Sequence, residues 1–329
     1  MTGLGDSAIE HLRAVAEQPD LSQTRYEVRN LLGRGGMGAV YAAHDRELGR
    51  LVALKVTSLA ASSADAIARL RKEAGILSAL EHPNIIPVHD VGVLPDGRCF
   101  YTMKLVRGRR LDEHVQDGRP LAERLQIFER ICDAVAFAHA HGVVHRDLKP
   151  ANIMVGPFGE VLVMDWGVAK SGPDRMTATR ADSDAEPAAG ATDAGTVLGT
   201  RGFMSPEQAV GDPEVDARSD IYALGAILRF LLTVPEVRED GARASTRRLP
   251  RALTAIADQA SAAPREERYQ SVGDLAADLS RYRDALRVHA YRENAVEQAV
   301  RLAGRYRLPL TLILAYVVMR LTLLLALRK

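Results

Sequence analysis

The chain has 329 residues, 47% hydrophobic and 26% charged, which suits a globular protein large enough for two lobes. Lys and Arg number 43 against 42 Asp and Glu, and the net charge of +1 argues against bulk nucleic-acid binding. Cys99 and Cys132 are the only cysteines and have no metal-ligand spacing, so they read as reduced thiols of a cytosolic domain.

The N-terminus lacks the basic-then-apolar layout of a signal peptide, and residues 7–16 read as a short amphipathic helix. Residues 26–32 alternate toward a glycine-rich turn and predict a strand, with residues 39–44 and 51–57 as the next two. Residues 64–80 place Ile67, Leu70, Ala74 and Leu77 at helical spacing, and Glu73 falls on that stripe. A carboxylate on an inward face needs a cationic partner, because burying it alone is costly. His82-Pro83-Asn84 ends the helix, and residues 85–93 and 98–105 predict two more strands joined at Pro95-Asp96-Gly97.

From Leu111 the pattern turns mainly helical. Leu121, Leu125, Phe128, Cys132, Val135 and His139 mark one face of a long helix ended near Gly142. Residues 171–195 are aperiodic and rich in Ala, Asp, Thr, Gly and Pro, which predicts a mobile loop. Residues 220–232 predict an apolar helix, 238–248 a basic loop, and 252–260 and 272–283 two further helices. Residues 308–327 are apolar except for Arg320, two threonines and Pro309, a run whose helical length matches a bilayer core of roughly 30 Å. Arg301, Arg305 and Arg307 precede it and Arg328-Lys329 follow it.

Four segments carry chemistry. Gly33-Arg34-Gly35-Gly36-Met37-Gly38-Ala39-Val40 lies between two predicted strands, where glycines let backbone amides approach phosphates without a Cβ in the way. A dinucleotide site would need a helix after this turn, and a strand follows instead. Val52-Ala53-Leu54-Lys55 ends a strand, so Lys55 can meet phosphates as a point charge with inward-facing Glu73 to hold it. His145-Arg146-Asp147-Leu148-Lys149-Pro150-Ala151-Asn152 supplies Asp147 to orient a hydroxyl, Lys149 to neutralise a transferred phosphoryl group, and Asn152 as a metal ligand. His145 itself reads as a packed structural residue. Asp165-Trp166-Gly167, after the buried-strand run Val161-Leu162-Val163-Met164, supplies the second metal ligand.

In this order the segments match the known protein-kinase signature set, and the chain from Tyr26 to Ala285 resembles the eukaryotic-like serine/threonine protein kinases found in bacteria. The resemblance implies an α+β, bilobal fold. A small β-rich lobe carries Lys55 and Glu73, and a larger helical lobe carries Asp147, Asn152 and Asp165. It implies ATP as substrate and Mg2+ as cofactor, with Mn2+ as an alternative. The nucleotide would lie among Gly33 to Gly38, Val40, Ala53, Lys55, Met103, Lys104 and Val106. Met103 would stand beside the back of the pocket, and the backbone near Lys104 to Val106 would bind adenine.

Lys149 and Gly199-Thr200 look like the serine/threonine branch, with Thr200 contacting Asp147 and Lys149. Arg146 resembles the arginine that pairs with a phosphate on the activation loop, for which Thr192 and Thr196 are the first acceptors and Thr177, Thr179 and Ser183 weaker ones. Glu207, in Ser205-Pro206-Glu207, is expected to pair with Arg268. Protein Ser/Thr hydroxyls, including the chain's own, are the implied acceptors. A scaffold without chemistry and a small-molecule phosphotransferase are the alternatives. Lys55, Glu73, Asp147, Asn152 and Asp165 together count against the first, and Lys149 with residues 200–207 against the second.

Three departures stand out. Trp166 replaces the usual phenylalanine, Lys104 stands where relatives carry an acidic residue, and the stretch between Leu232 and Pro250 is short. The expected organisation is an extension over 1–25, a catalytic domain over 26–287, a basic segment over 288–307 and a transmembrane helix over 308–327. The last would be a single anchor in the inner membrane, with the domain on the cytoplasmic side and room for a homodimer through the tail. Arg320 would snorkel to an interface or pair within such an oligomer.

Overall fold

The computed structural model describes residues 18–35, 38–58, 64–166, 170–171, 200–235, 249–305, 311–313 and 315–320. Five antiparallel strands form the first lobe: β1 (Tyr26–Gly35), β2 (Gly38–Asp45), β3 (Arg50–Thr57), β4 (Val88–Val93) and β5 (Cys99–Lys104), in the order β1-β2-β3-β5-β4. Their alternation is read in two directions. Val52, Leu54, Val56 and Phe100 pack with Leu21 and Tyr26 into a small outer core. Register puts Val40 opposite Lys55, Lys55 opposite Tyr101, and Ala53 opposite Met103, so these five share the inner face.

The helix Ala64–Ala79 packs on that lobe through Leu70, Ala74 and Leu77, all buried, as the stripe predicts. The strand expected over 85–93 begins only at Val88. Pro87 lacks an N–H, and the buried Ile85 and Ile86 leave the sheet to bond across to the second lobe. There Ile86 N–H donates to Val163 O at 3.3 Å, and Val163 N–H to Asn84 O at 2.8 Å. Asn84 Nδ2 adds a bond to Val161 O at 2.9 Å, so this short stretch couples the lobes.

The second lobe is built on the helix Leu121–Ala140, with Phe128, Ile131, Cys132 and Val135 fully buried. Each such large side chain contributes roughly 1.5–3 kcal/mol of burial. Gly142, at φ 72, turns the chain out of this helix where a left-handed residue is required. The helices Arg218–Thr233, Arg251–Ala260 and Val272–Arg283 complete the core. A small sheet of β6 (Arg109–Arg110), β7 (Ile153–Val155) and β8 (Val161–Val163) meets the first lobe through a bridge between Val163 and Ile85. The bilobal α+β expectation is met.

The described residues do not support the C-terminal expectation. Among the described residues no helix is long and apolar enough to cross a membrane. Residues 311–313 and 315–320 are helical, and the remainder of 308–327 lies outside the described residues, as do 7–16, 172–195 and 238–248.

Candidate active site

Lys55 reaches from β3 to Glu73, donating to Oε1 at 2.8 Å and Oε2 at 3.1 Å, and to Asp165 Oδ1 at 3.2 Å. Glu73 is 3% exposed, so the cationic partner its helical phase demands is present. Burial works against the Lys55 charge, but Glu73 and Asp165 outweigh it and hold the ammonium above its usual pKa. Tyr101, unremarked in the sequence, adds a bond from its hydroxyl to Glu73 Oε1 at 2.9 Å.

Across the cleft, Lys149 Nζ lies 2.8 and 3.0 Å from the two Asp147 carboxylate oxygens. Asn152 Nδ2 donates to Asp147 O at 2.8 Å and to Oδ2 at 3.1 Å. That leaves the Asn152 amide oxygen as a hard donor. Asp165 is exposed to the cleft, and only its Oδ1 has a partner among the described residues. One carboxylate and one amide oxygen suit Mg2+ that completes its shell with phosphates and water, unlike an all-protein cage.

The catalytic loop is held from below by a residue that sequence reading passed over. Asp220, 1% exposed at the start of Arg218–Thr233, accepts from His145 N–H and Arg146 N–H, each at 2.8 Å. Its Oδ2 also contacts His139 Nε2 at 2.8 Å. Burial alone would raise its pKa, yet the contacts with His139 and the loop amides hold the carboxyl below its usual range. The one available signal was a carboxylate opening an otherwise apolar helix.

His145 is fully buried, as expected of a packed residue: Nδ1 accepts from Asp147 N–H at 3.2 Å and Nε2 contacts Met164 O at 3.0 Å. Trp166 packs against it with the rings tilted by 53° and their centroids 4.6 Å apart, is itself 0% exposed, and donates to Val163 O at 3.4 Å. The larger ring therefore sits inward, and Asp165, at φ 62, is turned toward Lys55.

Arg146, at φ 69, donates to Val215 O at 3.0 Å, while its buried Nε has no partner among the described residues. Burial lowers its pKa and Asp220 only partly offsets this. Gln208 Nε2 donates to Arg146 O at 2.6 Å, tying the capped helix Pro206–Ala209 to the loop. Glu207 and Arg268 meet in two bonds of 2.7 and 2.8 Å.

Of the nucleotide-contact candidates, Gly33, Arg34, Gly35 and Gly38 form the β1–β2 hairpin, where Gly35 pairs with Gly38. A Cβ on Gly38 would lie 1.9 Å from Val56 O, so the fold itself requires glycine there, whereas one on Gly33 or Gly35 would meet nothing within 4 Å. Lys104 N–H is taken by Pro87 O at 3.2 Å, and Val106 N–H has no backbone partner among the described residues. Gly36, Met37, Thr192 and Thr196 lie outside the described residues. Thr200 opens a 3-10 turn, and its side chain also lies outside.

The family model of the protein kinase domain matches residues 26–296. The serine/threonine-protein kinase PknB of Mycolicibacterium smegmatis is 36% identical over 285 residues, covering 80% of this chain and 44% of that protein. PknD of Protochlamydia amoebophila is 33% identical over 293 residues, covering 78% of this chain and 30% of its own. The chain thus spans less than half the length of these curated relatives. The crystal structure of the Mycobacterium tuberculosis PknI kinase domain is similar at TM-score 0.55 and 25% identity, over 78% of this chain and 96% of that one.

Proposed function

This chain belongs to the protein kinase family, and from that we propose that it transfers the γ-phosphoryl group of ATP to Ser and Thr hydroxyls of proteins, itself included. The observation that carries the proposal is two bonded groups, Lys55–Glu73–Asp165 and Asp147–Lys149–Asn152, brought next to each other by the bond from Met164 N–H to Asn152 O at 2.9 Å. In this reading Asp147 accepts the proton of the acceptor hydroxyl, and Lys149 neutralises charge on the group in transit. Lys55 orients the nucleotide phosphates. Asp165 and the Asn152 oxygen would hold Mg2+, which supplies charge neutralisation on the phosphates. Gly33 and Gly35, where an added Cβ would meet nothing within 4 Å among the described residues, leave room for phosphates to approach the backbone. Val106 N–H would meet adenine, with Val40, Ala53 and Met103 on the sheet face above it.

The test is the intact mass of the full chain after incubation with Mg-ATP, beside Asp165→Asn. Gains of whole phosphate masses in the wild type alone are expected. No gain on the chain or on an added generic protein acceptor would end this reading.

Activation-loop phosphorylation extends the proposal. The buried Arg146 Nε, which has no partner among the described residues, is a donor suited to a phosphate. Thr192 and Thr196 are the assigned acceptors. The variant lacking both is expected to lose the main phosphate gain and at least tenfold in activity. Full phosphorylation and activity in that variant would remove the assignment.

Membrane association through 308–327 is the remaining part. Leu312, Ile313, Val317 and Val318 are 51–70% exposed, an apolar set on the helical residues 311–313 and 315–320. Arg320 Nε bonds Tyr316 OH at 3.0 Å, a pairing suited to an interfacial position. The full chain is expected in the membrane fraction after lysis, and a form ending at Gly304 in the soluble fraction. Equal partitioning of the two would dismiss the anchor.

A further inference from the structure

Tyr101 stands opposite Lys55 on the inner face of the first lobe's sheet, because β3 and β5 pair those two positions. Both side chains reach the same buried carboxylate. Glu73 Oε1 accepts from Lys55 Nζ at 2.8 Å and from the Tyr101 hydroxyl at 2.9 Å. The Lys55 ammonium also lies 5.8 Å from the Tyr101 ring centroid. Tyr101 is 2% exposed and Glu73 3% exposed, so water does not substitute for either bond.

The charges around this pair do not balance. One ammonium, Lys55, serves two carboxylates, Glu73 and Asp165. On the function proposed above, nucleotide phosphates draw on the same ammonium. Whatever Lys55 gives to phosphate it withdraws from Glu73, and a buried carboxylate short of partners is destabilised. The Tyr101 hydroxyl is the donor to Glu73 that no phosphate competes for. Burial, then the adjacent Glu73, pushes the Tyr101 phenol well above its usual pKa, so the group stays a neutral donor throughout the working range.

We propose that Tyr101 is a positioning residue: its hydroxyl pins Glu73, and with it the helix Ala64–Ala79, inward whether or not nucleotide is bound, and so sets Lys55 for the phosphates. Tyr101 touches neither nucleotide nor acceptor in this account. It acts through Glu73.

The test is Tyr101→Phe in the full chain, which removes one oxygen and keeps the ring. Two readouts are needed. In the nucleotide-free protein, hydrogen exchange of the amides in Ala64–Ala79 is expected to quicken about tenfold, with the helix Leu121–Ala140 unchanged as internal reference; about tenfold is what a lost bond to a charged acceptor sets. With Mg-ATP, kcat/KM for ATP is expected to fall by a similar factor, and to fall no further when Tyr101→Phe is added to Glu73→Ala. Unchanged exchange in Ala64–Ala79, or an equal further loss in the Glu73→Ala background, overturns the proposal. Should the wild type transfer no phosphate at all, the proposed function fails while the exchange measurement still decides Tyr101.

Discussion

Asp147→Asn is expected to lower the rate of phosphoryl transfer by about 10²–10⁴-fold, the range a positioned proton acceptor contributes, and to leave Mg-nucleotide affinity within a few-fold of wild type. Little of this residue's geometry depends on its own charge. Its backbone is fixed through His145 Nδ1, and the preceding amides of His145 and Arg146 are tied to the buried Asp220. The isosteric amide keeps one oxygen for Lys149 or Asn152, which now contact the carboxylate at 2.8 to 3.1 Å. What it lacks is the ability to take a proton. Paired measurements of kcat and of nucleotide dissociation separate the outcomes. An unchanged kcat would remove Asp147 from the proton path. A large loss of nucleotide affinity, with kcat lost in step, would instead mark Asp147 as a structural support of the cleft.

The parts of this site legible in the sequence are those whose chemistry and spacing are local. Lys55 is a lone charge in the apolar strand run 51–57, Glu73 breaks an apolar helical stripe, and Asp147, Lys149 and Asn152 sit within one short loop. Each shows an unusual residue type against a regular background. The helix periods transferred well for the same reason: burial of Leu70, Ala74 and Leu77, and of Phe128, Cys132 and Val135, follows directly from the turn of the helix.

What escaped is non-local. Tyr101 looks like one more strand aromatic until the register places it beside Lys55, and register between strands so far apart in the chain is not written in either strand alone. Asp220 is a single acid at a helix start, where a carboxylate is ordinary. Its three contacts come from His139, His145 and Arg146, residues that only folding brings to it. The early start expected for β4 failed because apolar residues 85 and 86 satisfy a strand pattern equally well when they cross to Val163. The inward placement of Trp166 is non-local in the same way, since its ring is buried against the tilted ring of His145, which only folding brings to it.

Arg268→Met is expected to cost about 3–5 kcal/mol, the range for breaking a buried pair and stranding its partner, and to lower the melting temperature by on the order of 10 °C. Arg268 is 2% exposed and Glu207 6% exposed, so neither charge is relieved by solvent. Arg268 makes two bonds to Glu207 and three more to the carbonyls of Ala262, Arg218 and Ala263. The methionine therefore strands a carboxylate and three acceptors together. Glu207→Gln strands less, because an amide oxygen can still accept from Arg268 and the guanidinium keeps its carbonyls. Its cost is expected nearer 1–3 kcal/mol.

The order of the two costs is the informative quantity, and denaturant midpoints of the two variants measure it. Both costs below about 1 kcal/mol would mean that the pair contributes no more than an exposed surface contact, and equal costs above that would overturn the expected order. The pH dependence follows the same bonds. Burial pushes the Glu207 carboxyl up, but Arg268 outweighs it and the folded pKa lies below the ordinary glutamate value. The contribution is therefore complete above about pH 4.3, the unfolded value, and is lost as pH falls through the lower folded one. In Arg268→Met, Glu207 loses the group that depresses it. The acid side of the stability profile should then lose its Glu207 component, and the cost of the substitution should shrink as the pH is lowered through that window.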